Sequence, residues 1–280
     1  MPQYYNVKET SSLTQLLEEI DSIQAKINSL KPVQKALWAT IQEKLRIEWT
    51  YDSNALEGST LTKGETYFFL REGLTVEGKP LKDFLDARNH AEAIDYLYQV
   101  IKSERPITPG LMKEINKLLM SGITDTEAIN EMGQKVRKPA VAGEYKKLPN
   151  HVLQPDGTIH YYTDPLHVLA EMEELFRWIK EFIVCKHPVI ISAVSHYNLV
   201  RIHPFDDGNG RGARILMNLF LIKNHYAPAI IKKEQRRVYL ETLALADDEN
   251  LGPFTELVAQ SLLSTQQIII QDLNKNSEKE

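Results

Sequence analysis

The stretch "IHPFDDGNGRGAR", residues 202–214, separates two apolar segments that both have helical spacing. Pro204 and Gly208 cannot continue a helix through this point, so the chain must form a loop here. The next helix is predicted to begin at Asn209 and Gly210. A helix start that follows a glycine exposes free backbone N–H groups at the positive end of the helix dipole, which favours phosphate binding. The stretch therefore predicts an anion site between two core helices.

The charged side chains of this loop suit a polyphosphate. Arg211 and Arg214 are three residues apart on the second helix, so they share a face and can hold more than one phosphate group. Asp207 would repel phosphate oxygens unless a cation lies between them, and one carboxylate with substrate phosphates is a common way to hold Mg²⁺. His203, with an ordinary pKa of about 6.5, is mostly neutral at pH 7 and is a candidate general base. Each residue alone has a structural explanation, but their conjunction favours a polyphosphate site.

The rest of the chain is predicted to be almost wholly helical. Apolar residues at helical spacing run through residues 12–30, and a second long helix is predicted to end at Gly58. Thr62 and Gly73 are the expected cap and stop of a third helix. The segment "NHVLQPDGTIHYY", residues 150–162, is predicted to be a hairpin that turns at residues 155–157. A hairpin with no sheet to join often overhangs a site.

Composition and charge argue against several classes of protein. The chain has 280 residues, of which 42% are hydrophobic, and this is ample for a large core. Its net charge of −5 argues against general nucleic-acid binding. With Cys185 as its single cysteine the chain can form no intrachain disulfide, so we expect a cytoplasmic protein. The N-terminal residues lack the pattern of a signal peptide, and no apolar stretch approaches the roughly 20 residues that span a bilayer.

The loop closely resembles the signature of the Fic family, which is His, any residue, Phe, any residue, an acidic residue, Gly-Asn-Gly-Arg, two residues and Arg. The matching positions are His203, Phe205, Asp207, Gly208, Asn209, Gly210, Arg211 and Arg214. The resemblance extends loosely over residues 33–262. It implies an all-α Fic-type helical bundle with one β-hairpin, the flap, at about residues 138–163 over the active site. We divide the chain into an N-terminal helical region (1–60), a Fic core (61–265) and a polar tail (266–280).

The activity implied by the resemblance is transfer of AMP from ATP to a Ser, Thr or Tyr hydroxyl of a target protein, with release of pyrophosphate. His203 would take the hydroxyl proton, Asp207 would hold Mg²⁺, and Arg214 would grip the γ-phosphate. The flap would hold the target, whose identity the sequence does not show. The residues that would cradle the other phosphates are Gly208, Asn209, Gly210 and Arg211.

Other positions resemble family residues that contact the adenine. Tyr239 and Leu243 are four residues apart on a predicted helix, so they share a face that could line the base pocket or simply pack in the core. Val141, which precedes the predicted hairpin, could cover the base from the other side. Family members often have an asparagine near position 246, where this chain has Ala246, so selectivity for adenine stays open.

The stretch "SNALEG", residues 53–58, resembles the motif of autoinhibited family members. Glu57 lies at the end of a predicted helix, where the dipole is negative and a carboxylate is unfavourable unless a cation is close. Ser53, four residues earlier on the same face, could hydrogen-bond the carboxylate and orient it. The predicted cation is Arg214. A pair between Glu57 and Arg214 would occupy the arginine that is meant for the γ-phosphate.

Other functions remain open at this point. The same site could remove AMP from modified proteins, with Glu57 placing a water molecule. Phosphotransfer of the Doc type is less favoured, because Doc-like members have a lysine in place of a loop glycine, whereas Gly208 and Gly210 are both present. A non-enzymatic nucleotide sensor or DNA-binding regulator is disfavoured by the intact His203 and the acidic composition. A homodimer is expected by family analogy.

Overall fold

The computed structural model describes residues 3–30, 35–129, 134–153 and 157–277. Helices dominate this part of the chain, as predicted. They are α1 (Ser11–Leu30), α2 (Lys35–Leu56), α3 (Lys63–Glu72), α4 (Leu81–Lys102), α5 (Pro109–Leu119), α6 (Pro165–Phe182), α7 (Pro188–Ile202), α8 (Asn209–Lys223), α9 (Arg236–Asp247) and α10 (Gly252–Ser277). The strands are β1 (Asp125–Ile129), β2 (Lys135–Pro139), β3 (Val152–Leu153) and β4 (Ile159–His160).

The two apolar segments around residues 202–214 form the centre of the bundle. Helices α7 and α8 pack against each other, and α4, α5, α6, α9 and α10 surround them. Both central helices are buried on nearly every side, with Val194 and Leu219 as typical core residues. A helix that is apolar all round belongs in a core. The loop between α7 and α8 is therefore held at both ends by buried helices.

The boundaries around the second and third helices agree with the sequence. Helix α2 ends at Leu56, and Gly58 follows with a positive φ of 98°. Thr62 caps α3 through the N–H of Glu65, and Gly73 ends that helix in the left-handed conformation. These boundaries place residues 53–57 at the C-terminal end of α2.

The predicted hairpin is present as β3 paired antiparallel with β4, which confirms a helical bundle with a hairpin flap. The residues predicted at its turn, Pro155 and Asp156, lie outside the described residues. A second antiparallel pair, β1 with β2, was not predicted, so the expectation of one hairpin was incomplete. The sequence of β1, Asp-Thr-Glu-Ala-Ile, has little of the apolar alternation that marks a strand. An isolated pair of strands is marginally stable and needs other contacts to hold it.

The structure differs from the prediction of a polar tail at residues 266–280. Helix α10 continues to Ser277, and its side chains Gln266, Ile269 and Leu273 are buried. Helix α1 packs along α10, which explains why this polar-looking segment is part of the core. Within the described part of the chain, no helix is long and apolar enough to cross a membrane.

Candidate active site

The loop between α7 and α8 is shaped by its own side chains. Helix α7 is capped by His203 in the left-handed conformation, with φ 50° and ψ 59°, and Gly208 is left-handed with φ 80°. Asn209 Oδ1 accepts from the N–H of Phe205 at 2.9 Å, and Asn209 Nδ2 donates to the Phe205 carbonyl at 2.8 Å. The buried ring of Phe205 anchors the loop in the core. The Asn209 side chain thus closes the loop rather than extending toward a ligand.

The start of α8 leaves backbone N–H groups free, as an anion cradle requires. The N–H of Gly212 donates to the Gly208 carbonyl at 2.8 Å, so the N–H groups of residues 209–211 precede the first intrahelical bond. A Cβ on Gly208 would lie 3.1 Å from Asn116 Nδ2, and a Cβ on Gly210 would collide with Glu57 Oε1. The φ of 80° at Gly208 favours glycine there, and at Gly210 a larger residue would displace the Glu57 side chain. A carboxylate oxygen therefore lies at the N-terminal end of α8.

His203 is held as a neutral base. Its Nδ1 lies 3.3 Å from the carbonyl of Val200, which is a geometry for Nδ1–H to donate, so Nε2 is left as the proton acceptor. The ring of Tyr162 stacks on the imidazole, with 3.7 Å between centroids and 23° between planes. Burial, with a further contribution from the Lys146 ammonium, lowers the pKa of His203 to about 3. At neutral pH the imidazole is uncharged and able to accept a proton.

Asp207 is fixed by three contacts. Its Oδ1 accepts from the N–H of Gly208 at 2.5 Å, and its Oδ2 accepts from the Thr126 hydroxyl of β1 at 3.2 Å. Arg211 Nη2 is 3.5 Å from Asp207 Oδ1. Burial alone would raise the pKa of Asp207, but the Arg211 charge and the Gly208 N–H outweigh burial and lower the pKa. The carboxylate is therefore ionised and suits Mg²⁺ that is shared with phosphate oxygens.

Arg211 lies between two carboxylates. Its side chain is buried, and Nη1 forms an ion pair with Asp86 of α4. Its Nη2 is 3.5 Å from Asp207 Oδ1. Arg211 therefore stabilises the loop and orients Asp207, and its expected contact with a phosphate stays a prediction.

Glu57 and Arg214 meet as the sequence predicted. Arg214 Nη2 is 2.6 Å from Glu57 Oε1, and Arg214 is 2% exposed whereas the Glu57 side chain is 45% exposed. Ser53 binds the same guanidinium, because its hydroxyl accepts from Nε and its carbonyl accepts from Nη2, both at 2.9 Å. Ser53 was expected to orient Glu57 by a hydrogen bond. Instead both residues are acceptors for Arg214.

The predicted adenine contacts lie in two places. Tyr239 is buried, and its hydroxyl lies 3.4 Å from Arg214 Nη1 and 3.2 Å from His196 Nε2. Leu243 is also buried, at 9% exposure. Val141 is 46% exposed, and its N–H donates to Asp206 Oδ2 at 3.3 Å. The structure thus brings Tyr239 to Arg214 and Val141 to Asp206 of the signature loop.

Contacts that reasoning from the sequence missed come from the strands and from α5. Asn116 of α5 donates to the Asp207 carbonyl and accepts from the N–H of Gly143, both at 2.9 Å. Lys138 of β2 pairs with Asp206 at 3.0 Å. No short sequence motif predicts these contacts, because each contact joins segments that are distant along the chain. Tyr162 was detectable in principle, since it is the last residue of the predicted hairpin segment 150–162, which was expected to overhang the site.

Comparison with known proteins agrees with this geometry. Residues 106–221 match the model of the Fic/DOC family. Over 259 residues, the chain is 29% identical to the protein adenylyltransferase Fic of Drosophila erecta and 28% identical to that of Drosophila melanogaster. The aligned region is 91% of this chain and 48% and 49% of those proteins. The chain thus spans about half the length of the curated relatives it matches.

Solved structures show the same fold. A Fic domain containing signaling protein from Bacteroides thetaiotaomicron is similar with a TM-score of 0.80 at 28% identity, covering 92% of this chain and 97% of that chain. A fragment of Fic-1 from C. elegans has a TM-score of 0.79 at 23% identity, covering 94% and 73%. With every fixed position of the signature present at residues 203–214, these matches show a Fic/DOC domain at residues 106–221 in a chain that has the fold of the Bacteroides protein.

Proposed function

We propose that this protein transfers AMP from ATP to a hydroxyl group of a target protein and that Glu57 inhibits this activity. The observation that carries the proposal is a carboxylate at an anion site beside a neutral histidine. Glu57 Oε1 lies against Gly210 at the start of α8 and 2.6 Å from Arg214. The names of the Drosophila relatives supply the reaction class.

The reaction needs little chemistry from the protein beyond positioning. The hydroxyl oxygen of the target forms a bond to the α-phosphorus, His203 Nε2 takes the hydroxyl proton, and the bond from the α-phosphorus to the bridging oxygen breaks to release pyrophosphate. The free N–H groups of residues 209–211 stabilise charge that develops on the phosphate oxygens. The β3–β4 hairpin lies beside His203 and would hold the target segment by backbone pairing.

Mg²⁺ fits the residues that are present. Asp207 is ionised, lies beside the cradle, and is the residue that would hold the ion together with the α- and β-phosphates. The ion would neutralise phosphate charge next to the carboxylate. The Thr126 hydroxyl and Arg211, which contact Asp207 now, orient the carboxylate for this role.

Inhibition follows from the position of Glu57. An arginine that is 2% exposed needs an anionic or polar partner, and Glu57 supplies the anion when no γ-phosphate is present. While the pair holds, the γ-phosphate of bound ATP cannot reach Arg214. The nucleotide would then bind with its α-phosphate out of line for attack.

The experiment is incubation with ATP labelled separately at the α- and γ-phosphates, using wild type, Glu57→Gly and Glu57→Gly with His203→Ala. We expect protein labelling from the α-position alone, with most label on Glu57→Gly and none after His203→Ala. Label from the γ-position would indicate phosphotransfer instead. Absence of label from both positions in Glu57→Gly, with added protein substrates of several kinds, would contradict the proposal.

Removal of AMP by the same site is a second candidate. Glu57 is half exposed, so its carboxylate can hold a water molecule beside the phosphate site while His203 protonates the leaving hydroxyl. Protein that was first labelled by Glu57→Gly and then mixed with wild type would lose its label if the site removes AMP.

The location and the oligomeric state stay predictions. A cytoplasmic location accords with the exposed free cysteine, Cys185. A homodimer is expected by family analogy.

A further inference from the structure

The two tyrosines that follow β4 have different surroundings. Strand β4 ends at His160, and Tyr162, two residues further, contacts the rings of His160 and His203. Tyr161 is 68% exposed, and its ring centroid lies 4.6 Å from that of His151. One tyrosine therefore packs against the candidate site and the other lies in solvent.

Tyr162 covers the imidazole of His203. The two rings are nearly parallel, with centroids 3.7 Å apart. The edge of His160 contacts the other part of the Tyr162 ring at 4.7 Å, and the Lys146 ammonium is 5.8 Å from its centroid. Tyr162 is thus held between the hairpin and the core rather than resting loosely on the histidine.

Within the described part of the chain, few other contacts fix the plane of the imidazole. His203 lies at the end of α7 in a left-handed conformation, and the hydrogen bond that its ring makes to the described residues, between Nδ1 and the Val200 carbonyl, is 3.3 Å long. A hydrogen bond of this length is weak and leaves the ring free to tilt. A flat aromatic partner restricts the tilt, since a stacked pair loses contact when either plane rotates.

We propose that Tyr162 is a positioning residue for His203, and that its ring holds the imidazole in the orientation that directs Nδ1 to Val200 and leaves Nε2 as the proton acceptor. The catalytic role of Tyr162 depends on the proposed AMP transfer. The stacking contact between Tyr162 and His203 does not depend on that function. Tyr162 acts through His203 and need not touch ATP or target.

Several charged or titratable groups surround the imidazole. Lys146 precedes the hairpin, His160 is on β4, Asp207 is on the signature loop, and the Tyr162 hydroxyl is part of the stack. Burial is the largest cause of the low pKa of His203, and the tyrosine ring supplies part of that burial. Loss of the ring should admit water, raise the pKa toward its ordinary value and let the other tautomer form.

Nuclear magnetic resonance of ¹⁵N-histidine protein tests the proposal without any activity. His203 is assigned by comparison with His203→Ala, and its two ring nitrogens report tautomer and protonation. We expect Nδ1–H and a low pKa in wild type, in Tyr162→Phe and in the matched control Tyr161→Ala. In Tyr162→Ala we expect mixed tautomers and a raised pKa of His203. An unchanged tautomer and pKa in Tyr162→Ala would overturn the proposal.

Tyr162→Leu keeps a large apolar side chain without a flat ring, and it replaces Tyr162→Ala in the experiment if that variant does not fold. We expect the same mixed tautomers of His203 in Tyr162→Leu. In a Glu57→Gly background, loss of the stack should lower kcat about tenfold and leave the KM for ATP within about twofold, because positioning affects the base and not the nucleotide. Tyr162→Phe should keep kcat. Absence of transfer even in the Glu57→Gly parent would contradict the proposed function, while the resonance result would still decide the role of Tyr162.

Discussion

Replacement of Glu57 by glycine tests the contact that we propose inhibits the site. The change removes the ion pair with Arg214 and clears the carboxylate from Gly210. Arg214 keeps both bonds to Ser53 and its contact with the Tyr239 hydroxyl, so the guanidinium should stay where it is. The variant therefore opens the anion site without dismantling it.

The structure indicates the size of two effects of Glu57→Gly, the effect on stability and the effect on the rate of transfer. Glu57 is 45% exposed but Arg214 is 2% exposed and keeps its bonds to Ser53, so loss of the ion pair should cost about 1–3 kcal/mol of stability. Helix α2 ends at Leu56, so a glycine at 57 does not carry the cost of a helix interior. For the rate, a substrate misplaced by about 1 Å can react about a hundredfold more slowly. We expect Glu57→Gly to transfer AMP tens-fold to a hundredfold faster than wild type.

The assay compares incorporation of α-labelled AMP by wild type, Glu57→Gly, Arg214→Ala and the double variant at equal Mg²⁺. Arg214→Ala should stay slow, since it removes the γ-phosphate contact together with the inhibitory one. Glu72→Gly makes the same substitution at an exposed helix end and should behave as wild type. If Glu57→Gly is no faster than wild type while His203→Ala abolishes transfer, the inhibitory role of Glu57 is refuted.

Three further predictions follow from the site. His203→Ala should abolish transfer and keep ATP affinity within a few-fold by calorimetry, since the cradle is separate; joint loss of both would indicate a structural histidine. Asp207→Asn should lose Mg²⁺-dependent ATP binding, whereas Asp206→Asn should keep it and only loosen the Lys138 contact; the reverse order would contradict the assignment of the metal ligand. Burial lowers the pKa of His90 and His196 well below the ordinary value, so the folded state keeps them neutral while the unfolded chain takes up protons. The free energy of unfolding should therefore be highest above about pH 6.5 and should fall on acidification by up to ~1.4 kcal/mol per pH unit for each histidine. Urea unfolding at about pH 7 and at about pH 5.5 measures this difference.

Local chemistry explains what the sequence predicted well. The helix boundaries at Gly58, Thr62 and Gly73 follow from caps and stops that operate within a few residues. For Glu57, the helix dipole indicated only that the carboxylate needs a nearby cation. The choice of Arg214 as that cation came from the resemblance of residues 53–58 to the family motif.

The contacts that the sequence did not predict all depend on distant segments. Thr126 reaches Asp207 only because β1 pairs with β2 beside the loop, and the sequence of β1 lacks strand alternation. The orientation of Arg211 depends on Asp86, which lies on α4 and has no motif. The helical course of residues 266–277 depends on α1, which covers their apolar side chains. In each case the tertiary partner, and not the local pattern, determines the outcome.

The buried position of Arg214 explains why inhibition and activity can use one residue. A guanidinium that is 2% exposed is costly without an anion, although Ser53 and Tyr239 satisfy part of its hydrogen bonding. In the proposed mechanism Glu57 provides the anion in the resting protein, and the γ-phosphate of ATP provides it in the active one. Because both anions would use the same guanidinium, they compete for it. Removal of the Glu57 carboxylate should therefore shift the population toward the state in which Arg214 binds the γ-phosphate.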